Sequence, residues 1–302
     1  MIHQPTILLV EPTHYDVSYS INPWMDPGLW ASDPRGMHRN AVRAFESLRS
    51  ALRAAGFAVE VAPGTLGQPD MVFPANAAVV LDGHAVLARF RYPERAGEEA
   101  PFARIFEGLR ERGLIDSVSL LPEGCYQEGA GDCIWDAVRG HFWAGFGPRS
   151  SRAAADVMAS EFGREVVALE LATEQSYHLD VCFCPLSGGE ILYYAPAFTP
   201  QALCTLRERV PASLRIEASE DDLRHFSVNA VNLHDQVVMT RTTPHLRAEL
   251  GQRGYQLREV DLSPFMLSGG GAYCMTLRLD RSSAARQAAG SSGGAAQAAV
   301  AA

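Results

Sequence analysis

The stretch "LRAAGFAVEVAP", residues 52–63, joins the end of an amphipathic helix to a short alternating strand through a glycine. The chain repeats this helix-to-strand pattern five times, and glycine follows four of the five helices, as is typical of a left-handed position at a helix C-terminus. The repeat distance of roughly 45 to 57 residues indicates a modular architecture. The other copies are "LRERGLIDSVSLLP" at 109–122, "ASEFGREVVALEL" at 159–171, "LRERVPASLRIEAS" at 206–219 and "GQRGYQLREVDLS" at 251–263.

A second recurring element lies between these copies and has the alternation and turn residues of a β-hairpin. A fifth hairpin is expected to pair "GAYCMTLRL" at 271–279 with "PTILLVEP" at 5–12, so that the chain ends close a ring. We therefore predict a single α/β domain over residues 1–280, a five-bladed α/β propeller of ββαβ modules with pseudo-fivefold symmetry. Residues 281–302 are expected to form a flexible Ala/Gly/Ser-rich tail. The alternative is a generic α/β sheet whose repeats are accidental.

The composition is that of a soluble globular protein and argues against several classes of function. A net charge of −9 disfavours nucleic acid or an anionic membrane as the main partner. All 26 basic residues are arginine, so Schiff-base chemistry on lysine is unavailable. The sequence shows no signal-peptide pattern and no stretch long enough to span a membrane, and its six cysteines are too few for a disulfide scaffold. We expect a cytoplasmic protein with mostly reduced cysteines.

Each predicted hairpin is entered through polar or reactive side chains, which are Asn76, Glu128, Asp132, His178, Asp180, Asn229 and Cys274. If the modules are equivalent in space, these side chains converge on the pseudo-symmetry axis and share one pocket. Three glycines at 269–271 precede Cys274 and are expected to bend the chain around a ligand, with space beside the backbone. A cysteine there suits a thiolate nucleophile whose pKa is lowered by a cationic neighbour. The alternative is an inert buried cysteine beside a flexible loop.

The segment "HLDVCFC", residues 178–184, carries a second candidate constellation. In a strand, His178 and Asp180 would share one face, placing an imidazole beside a carboxylate that binds a cationic substrate. Glu128 can orient that imidazole, as the third group of a nucleophile–base–orienter site. Extended to Cys182 and Cys184, the same face could hold a metal, but zinc sites favour other spacings and no second ligand pair is evident. We therefore predict no metal, and core roles for both cysteines.

Six segments, taken in order, resemble the guanidino-group-modifying enzymes, which include arginine deiminase, dimethylarginine dimethylaminohydrolase and the arginine amidinotransferases. The resemblance covers nearly the whole chain, implies a five-bladed α/β propeller, and is strongest to the bacterial dimethylargininase-like and arginine dihydrolase branch. The segments are "HYDVSYSINPWM" at 14–25, "PDMVFPAN" at 69–76, "RFRYPERAGEE" at 89–99, "EGAGD" at 128–132, "YHLD" at 177–180 and "GGGAYCMTL" at 269–277.

The resemblance implies a role for each matching residue and requires no metal or organic cofactor. Cys274 matches the nucleophile, His178 the general acid/base, and Glu128 the carboxylate that orients the histidine. Arginines are suited to hold the substrate's α-carboxylate through their planar fork, although a solvated surface pair is the alternative for both. The implied substrate-binding residues are Asp70, Asn76, Asp180, Arg95 and Arg149, and we add Asn22 and Asn229. A homodimer is the family expectation.

Two departures from the family pattern bear on the substrate. "EGAGD" is one residue longer than the "EGGD" of many relatives, which leaves open whether Asp132 shares the role of Glu128. Asn76 stands where the resembling deiminases and the better-studied dimethylargininases carry aspartate. An amide offers one acceptor and one donor where a carboxylate offers two acceptors, so Asn76 is expected to tolerate a neutral ureido group better. A simple bond from Asn76 to a neighbouring turn is the alternative.

The predicted reaction is hydrolysis of the guanidino group of arginine or of an Nω-methylated arginine. Cys274 attacks the guanidinium carbon, His178 protonates the departing amine, and water releases a covalent S-amidino intermediate. The product is citrulline or ornithine, according to whether the enzyme is of deiminase, dimethylargininase or arginine dihydrolase type. An amidinotransferase and a non-catalytic arginine-binding protein are the alternatives. Residues 16–36 either cover the pocket or form an ordinary surface loop.

Overall fold

The computed structural model describes residues 4–284 of the chain. Fifteen β-strands in this part form five separate three-stranded sheets. The strands are β1 Thr6–Val10, β2 Ala58–Ala62, β3 Ala78–Leu81, β4 His84–Leu87, β5 Ser117–Leu120, β6 Cys133–Asp136, β7 His141–Phe146, β8 Val166–Glu170, β9 Phe183–Pro185, β10 Ile191–Tyr193, β11 Arg215–Glu217, β12 Val231–Leu233, β13 Gln236–Met239, β14 Gln256–Glu259 and β15 Leu277–Arg278.

Ten α-helices lie between these strands in the described residues. They are α1 Pro27–Ser32, α2 Pro34–Ala54, α3 Pro93–Ala96, α4 Glu99–Glu111, α5 Ala154–Phe162, α6 Leu179–Cys182, α7 Pro200–Arg209, α8 Glu220–Arg224, α9 Pro244–Gln252 and α10 Ser263–Met266. None of them is long and apolar enough to cross a membrane. In α2, the longest, the apolar face buries Phe45, Leu48 and Leu52 in a hydrophobic core.

Each sheet is one module with the same connectivity. In the second module, β3 pairs antiparallel with β4, and β4 pairs parallel with β5 after the chain has passed through α4. The modules β6–β8, β9–β11 and β12–β14 repeat this order. The last module is split between the chain ends, since β15 pairs antiparallel with β1 at Ile7 and Arg278, and β1 pairs parallel with β2. The predicted five-bladed propeller of ββαβ modules is confirmed.

The predicted glycine positions at the helix ends are also confirmed. Gly56, Gly113, Gly163 and Gly254 all have positive φ, between 59° and 103°. The helix without a glycine, α7, ends at Arg209, and the extended residue Val210 and then Pro211 follow it. Proline cannot continue a helix, so a proline ends this helix where a glycine ends the four equivalent ones.

The first strand of each hairpin is the innermost, which is why the hairpin entries meet. All residues of β3 and β6 are buried, whereas no residue of the outer strand β5 is fully buried. β3 contacts β6, and the 3₁₀ turns that precede them, Pro74–Asn76 and Gly129–Gly131, contact each other as well. The polar residues on these entries are therefore brought side by side at the centre of the molecule.

One local prediction is wrong, because His178 and Asp180 do not lie in a strand. His178 precedes the helical turn α6, which contains Asp180, and β9 begins only at Phe183. The Asp132 carboxylate accepts a hydrogen bond from the backbone N–H of Leu179, at 2.9 Å, and so stabilises the start of this turn. The two-residue alternation on which the common face depended is therefore lost.

The metal alternative depended on the same alternation and has no geometric support. Cys182 lies in α6 and packs against the backbone carbonyls of His178 and Leu179, while Cys184 lies in β9 beside the carbonyl of Ala230. Both cysteines are buried in hydrophobic clusters, as predicted for core residues. Within residues 4–284, His, Cys, Asp and Glu side chains form no group of three or more that could hold a metal ion. The predicted tail at 281–302 lies outside the described residues except for 281–284.

Candidate active site

The candidate nucleophile Cys274 lies between α10 and β15 and is buried. Its thiol donates to Oδ2 of Asp180 at 3.1 Å and accepts from Nδ2 of Asn229 at 3.0 Å. The same Asn229 accepts from the backbone N–H of Cys274 through Oδ1, at 3.0 Å, and donates to the backbone carbonyl of Asp180. Asn229 therefore holds the sulfur and the carboxylate in a fixed relation.

The electrostatic surroundings of Cys274 differ from the expectation of a lowered thiol pKa. Burial, and next the charge of Asp180, raise the pKa of Cys274 well above its ordinary value. The ionisable side chain that is hydrogen-bonded to the sulfur, Asp180, is thus an acid. Without a ligand, the site therefore favours the neutral thiol. A cation placed beside Asp180 would offset both effects and favour the thiolate.

The three glycines before Cys274 permit close packing by protein groups. Gly269 has φ of 86°, which favours glycine, and a Cβ there would lie 2.8 Å from the Tyr177 hydroxyl. A Cβ on Gly270 would lie 2.1 Å from the ring of Phe73, and one on Gly271 would lie 2.9 Å from Oδ1 of Asn229. The space beside these glycines is filled by the protein, so the expectation of room for a ligand there is wrong.

The imidazole of His178 is held by two side chains. Its Nε2 lies 2.8 Å from Oε2 of Glu128, and its Nδ1 lies 3.4 Å from Nδ2 of Asn76. An amide nitrogen only donates, so Nδ1 is the acceptor and the proton lies on Nε2, directed at Glu128. Burial alone would raise the pKa of Glu128, but the hydrogen bond from His178 and the charge of Arg149 hold it below its ordinary value.

Asp132 has a different role from Glu128. Its Oδ2 lies 3.9 Å from Nε2 of His178, beyond hydrogen-bond distance, and instead accepts from the Ser150 hydroxyl at 2.6 Å. Its Oδ1 accepts the backbone N–H of Leu179. Burial raises the pKa of Asp132 to about 6. Glu128 orients the ring, and Asp132 anchors the backbone that carries the ring.

Asn76 is fixed by a neighbour that sequence reasoning assigned to the substrate. Nη1 of Arg95 donates to Oδ1 of Asn76 at 2.9 Å, and Nδ2 of Asn76 donates to the backbone carbonyl of Glu128 at 3.2 Å. Arg95 in turn makes two parallel hydrogen bonds to the Glu98 carboxylate, at 2.8 and 2.9 Å. The amide of Asn76 has therefore used its carbonyl oxygen and one of its two N–H groups, and the second N–H faces His178.

Two buried carboxylates have a free acceptor atom. Among residues 4–284, Oδ1 of Asp70 and Oδ1 of Asp180 have no hydrogen-bond partner. The other oxygen of Asp70 accepts from the Tyr19 hydroxyl at 2.8 Å. Burial raises the pKa of Asp70, against the charge of Arg95, and raises the pKa of Asp180 to about 7. Leaving buried acceptors unpaired is costly, so both positions favour a donor-rich cationic ligand.

Arg149 connects this buried region to the surface. Its Nη1 donates to Oε2 of Glu128 at 3.2 Å and its Nη2 to the backbone carbonyl of Ile21 at 2.9 Å. The guanidinium lies between the rings of Tyr92 and Tyr177, 4.5 and 4.7 Å from their centroids. Arg149 and Arg95 are both buried, so the alternative of a solvated surface pair is wrong for each.

A cavity of about 490 Å³ opens beside Arg149 and is lined by Tyr92, Glu174, Tyr177 and residues 20–23, among others. Asn22 is on this rim, where its Nδ2 donates to the carbonyl of Ser268 and its Oδ1 accepts the backbone N–H of Trp24. Part of the segment 16–36 thus lines the entrance. The indole of Trp24 also donates to the carbonyl of Gln175 at 2.8 Å, across the same entrance.

Nine of the ten predicted site residues lie in two hydrogen-bonded groups, and Asn22 lies on the rim of the cavity beside Arg149; the roles assigned to them stay predictions. One group consists of Cys274, Asp180 and Asn229, and the other of Asp70, Asn76, Arg95, Glu128, Arg149 and His178. The two groups adjoin at Gly131, where a Cβ would lie 2.2 Å from Nδ2 of Asn76 and 3.6 Å from Oδ2 of Asp180. Sequence reasoning missed Tyr19 and Glu98. Glu98 has a usable signal, since it follows Arg95 by three residues in "PERAGEE" and an acid at this spacing can pair with the arginine. Tyr19 has a weaker signal, since the spacing in "HYDVSYS" does not show that its hydroxyl reaches Asp70.

Comparison with known proteins identifies the family and the fold of the chain. The family model of the eukaryotic N,N dimethylarginine dimethylhydrolases matches residues 29–281. The bifunctional arginine dihydrolase/ornithine cyclodeaminase ArgZ of Synechocystis is 41% identical over 90% of this chain, but the match spans only 37% of that relative. The N(G),N(G)-dimethylarginine dimethylaminohydrolase of Mycobacterium tuberculosis is 32% identical over 90% of this chain and 84% of its own length.

Solved structures of the ArgZ N-terminal domain superpose closely on this chain. One, a cysteine-to-serine variant bound to substrate, has a TM-score of 0.86 at 39% identity and covers 92% of this chain and 99% of that one. Another, an asparagine-to-serine variant covalently bound to a reaction intermediate, also has a TM-score of 0.86 at 39% identity, with 92% of this chain and 98% of that one covered.

Proposed function

The chain belongs to the N,N-dimethylarginine dimethylhydrolase family, and on that premise we propose that it is an arginine dihydrolase. Such an enzyme hydrolyses the guanidino group of arginine twice and releases ornithine, carbon dioxide and two molecules of ammonia. The observation that carries this proposal is the fixed amide of Asn76, whose oxygen is bound by Arg95 and whose Nδ2 lies 3.4 Å from the imidazole, a long contact that leaves this N–H available to a substrate. An amide in this orientation can donate to the oxygen of a neutral ureido group, which the second hydrolysis requires.

In the first hydrolysis, the substrate guanidinium is held by the free oxygens of Asp70 and Asp180. Its charge lowers the pKa of the Cys274 thiol, which passes its proton to the unprotonated Nδ1 of His178 and attacks the guanidinium carbon. His178, oriented by Glu128, protonates the terminal nitrogen, which leaves as ammonia. The product of this step is an S-alkylthiouronium on Cys274. Water, activated by His178, then attacks the same carbon and the thiolate leaves, giving citrulline.

In the second hydrolysis, the thiolate attacks the ureido carbon of citrulline before it leaves the site. The amide of Asn76 stabilises the negative charge that develops on the ureido oxygen through its second N–H, which leaves its long 3.4 Å contact with the imidazole and donates to that oxygen. The second ammonia leaves, and water releases the carbamate of ornithine, which breaks down to ornithine and carbon dioxide. Both cycles use the same sulfur and imidazole and consume one water molecule each.

Dimethylargininase is the second candidate, and the family model and the Mycobacterium tuberculosis relative favour it. The first half-reaction is then the same, but dimethylamine departs in place of ammonia and citrulline is the final product. The amide of Asn76 has no obvious use in this reaction, because a methylated guanidinium is a donor and the carbonyl oxygen of Asn76 is already bound. An amidinotransferase would instead require an added amine acceptor for turnover.

The test is to incubate the protein separately with arginine and with asymmetric dimethylarginine and to identify the products by mass spectrometry. Ornithine from arginine is expected. Citrulline alone from arginine, or turnover of dimethylarginine alone, would contradict the assignment. Asn76→Asp gives a sharper test, because a carboxylate cannot donate to the ureido oxygen, so citrulline is expected to accumulate. Cys274→Ser is the control and is expected to form neither product.

We further propose that residues 1–280 act as one catalytic domain, without metal or organic cofactor, in a cytoplasmic homodimer. The six cysteines, all free and in the described residues, are consistent with a reducing compartment. The dimer is supported by the family resemblance alone. Light scattering during size-exclusion chromatography measures the mass directly, and a monomer at micromolar concentration would contradict the dimer.

A further inference from the structure

We propose that Glu98 is a positioning residue that determines which product the enzyme releases, because it holds Arg95 in the place where Arg95 fixes the amide of Asn76. This inference rests on the proposed dihydrolase function. Glu98 contacts neither the sulfur nor the imidazole, but on this proposal it controls whether the second hydrolysis takes place.

The pair of Glu98 and Arg95 is built as a rigid unit. Both side chains are buried, with 0% and 3% of their surfaces exposed. Nε and Nη2 of Arg95 donate to the two carboxylate oxygens of Glu98, and Nη2 also donates to the backbone carbonyl of Asp70 at 3.2 Å. The guanidinium plane lies 4.6 Å from the ring centroid of Phe90. With the bond to Asn76, four of its five N–H groups have protein acceptors.

The orientation of Asn76 follows from this unit. An amide side chain can turn by 180° about its last bond with little change in shape, so its partners decide which end faces the reaction. Arg95 has no acceptor, so it can bind only the oxygen, and Nδ2 must face the carbonyl of Glu128 and the imidazole of His178. Without Arg95 in place, the reversed amide would present an acceptor to the site and repel a ureido oxygen.

Loss of the Glu98 charge would release Arg95 towards the substrate-binding carboxylate. A buried guanidinium that has lost its carboxylate partner is stabilised by pairing with another carboxylate. Arg95 already contacts the backbone of Asp70. Oδ1 of Asp70 has no partner in the described residues and can accept it. Such a shift would occupy an acceptor meant for the substrate guanidinium and leave Asn76 free to turn. Weaker arginine binding and a failed second hydrolysis are the expected result.

The experiment compares Glu98→Gln with the wild-type enzyme in the ratio of ornithine to citrulline formed from arginine, together with kcat and KM. Glutamine keeps the shape but replaces one of the two acceptors by a donor. The ratio is expected to fall at least about tenfold and KM to rise, because both depend on where Arg95 lies. Glu98→Asp keeps the charge and is expected to restore a large part of the ratio.

Asp136→Asn is the matched control, since Asp136 is a buried acid that pairs with Arg139 at the same three-residue spacing, at 2.7 Å, outside the candidate active site. It is expected to lower the melting temperature without changing the product ratio. If Glu98→Gln does not fold, the double variant Glu98→Gln/Arg95→Met removes both charges and is expected to release citrulline as well.

The outcomes separate this inference from the proposed function. A wild-type enzyme that forms only citrulline contradicts the dihydrolase assignment before any variant is compared. A wild-type enzyme that forms ornithine, with a Glu98→Gln variant that keeps the wild-type ratio, overturns the role of Glu98 and leaves the dihydrolase assignment intact. An equal change of ratio in Asp136→Asn would also overturn it, because general destabilisation would then explain the effect.

Discussion

Replacing Asp180 by asparagine should lower turnover and, at the same time, make the nucleophile more reactive towards an alkylating agent. Oδ2 of Asp180 accepts the Cys274 thiol at 3.1 Å, and its charge is, after burial, the largest cause that raises the thiol pKa. In the unliganded enzyme the carboxylate therefore suppresses the thiolate. In the proposed mechanism, the same carboxylate holds the guanidinium of the bound substrate. Asparagine keeps the shape and removes the charge from both interactions.

The size of each effect can be worked out from the geometry. Two unit charges 3.1 Å apart interact by about 5 kcal/mol at an effective dielectric constant of 20, or about four units of thiol pKa. Loss of the hydrogen bond to Asp180 acts in the same direction, because that bond stabilises the neutral thiol, whereas local relaxation and screening by entering water reduce the effect strongly. We therefore expect the thiol pKa to fall by on the order of one unit, which gives about tenfold more thiolate. Removing a buried charged partner of the substrate costs about 2–5 kcal/mol, so kcat/KM should fall by about 30-fold to several thousand-fold.

Iodoacetamide labelling measures the first effect when the Cys274 peptide is followed by mass spectrometry at pH 8, where Asp180 is ionised in the wild-type enzyme. The Asp180→Asn variant should label about tenfold faster while its hydrolysis of arginine is lost. Asp132→Asn is the control, since Asp132 is buried but makes no hydrogen bond to the sulfur, and its labelling rate should stay near the wild-type value. Slower or unchanged labelling of Asp180→Asn would refute the electrostatic reasoning.

Three further predictions concern Gly131, Glu128 and the pH dependence of thermal unfolding. A Cβ on Gly131 would lie 2.2 Å from Nδ2 of Asn76, so Gly131→Ala should keep its circular dichroism spectrum but lose arginine turnover by about 100-fold or more. Glu128→Gln leaves the imidazole without its acid, and should lower kcat by about 100-fold or more and the free energy of unfolding by about 3 kcal/mol, measured by urea denaturation. Burial raises the pKa values of Glu98 and Asp180 to about 7, above their values of about 4 in the unfolded chain. The folded state therefore keeps protons that the unfolded chain has lost. The contribution of these two groups to the free energy of unfolding is fully present below about pH 4 and is lost as the pH rises through 7. Thermal unfolding of the unliganded enzyme should therefore show a lower melting temperature at pH 8 than at pH 5, and an unchanged value would contradict the assigned pKa shifts.

The fold could be predicted from the sequence because each module repeats the same local signals. Helix ends such as Gly56 and Gly113 adopt the left-handed conformation that the sequence indicated, and the strands that follow them pair as expected. The closure of the ring by β1 and β15 followed from counting hairpins, since one copy was incomplete at each chain end. Periodicity is a local property, so one sequence is enough to read it.

The geometry of the site was only partly predictable, because it depends on contacts between modules. The residues were identified, but His178 and Asp180 lie around a helical turn that is capped by Asp132, 47 residues before Leu179. The direction of the Asn76 amide depends on Arg95, whose own position depends on Glu98. Neither dependence can be predicted from the local sequence, because the sequence does not show which way an amide side chain points.

The acidic excess of the site explains why a cation is needed to assemble it. The acids Asp70, Asp180, Glu98, Glu128 and Asp132 lie in one buried region with the cations Arg95 and Arg149. Burial and this imbalance raise the pKa of every one of these carboxyls except Glu128, which has both His178 and Arg149 as partners.

A bound guanidinium would supply the missing charge, ionise the acids around it and allow Cys274 to lose its proton. Once the first hydrolysis has converted that cation into a neutral ureido group, the charge is missing again, and Asp180, with a pKa of about 7, can take up a proton. A protonated Asp180 and the N–H groups of Asn76 are both donors, and a ureido oxygen is an acceptor. In the proposed mechanism, the same residues therefore hold a cation in the first hydrolysis and a neutral group in the second.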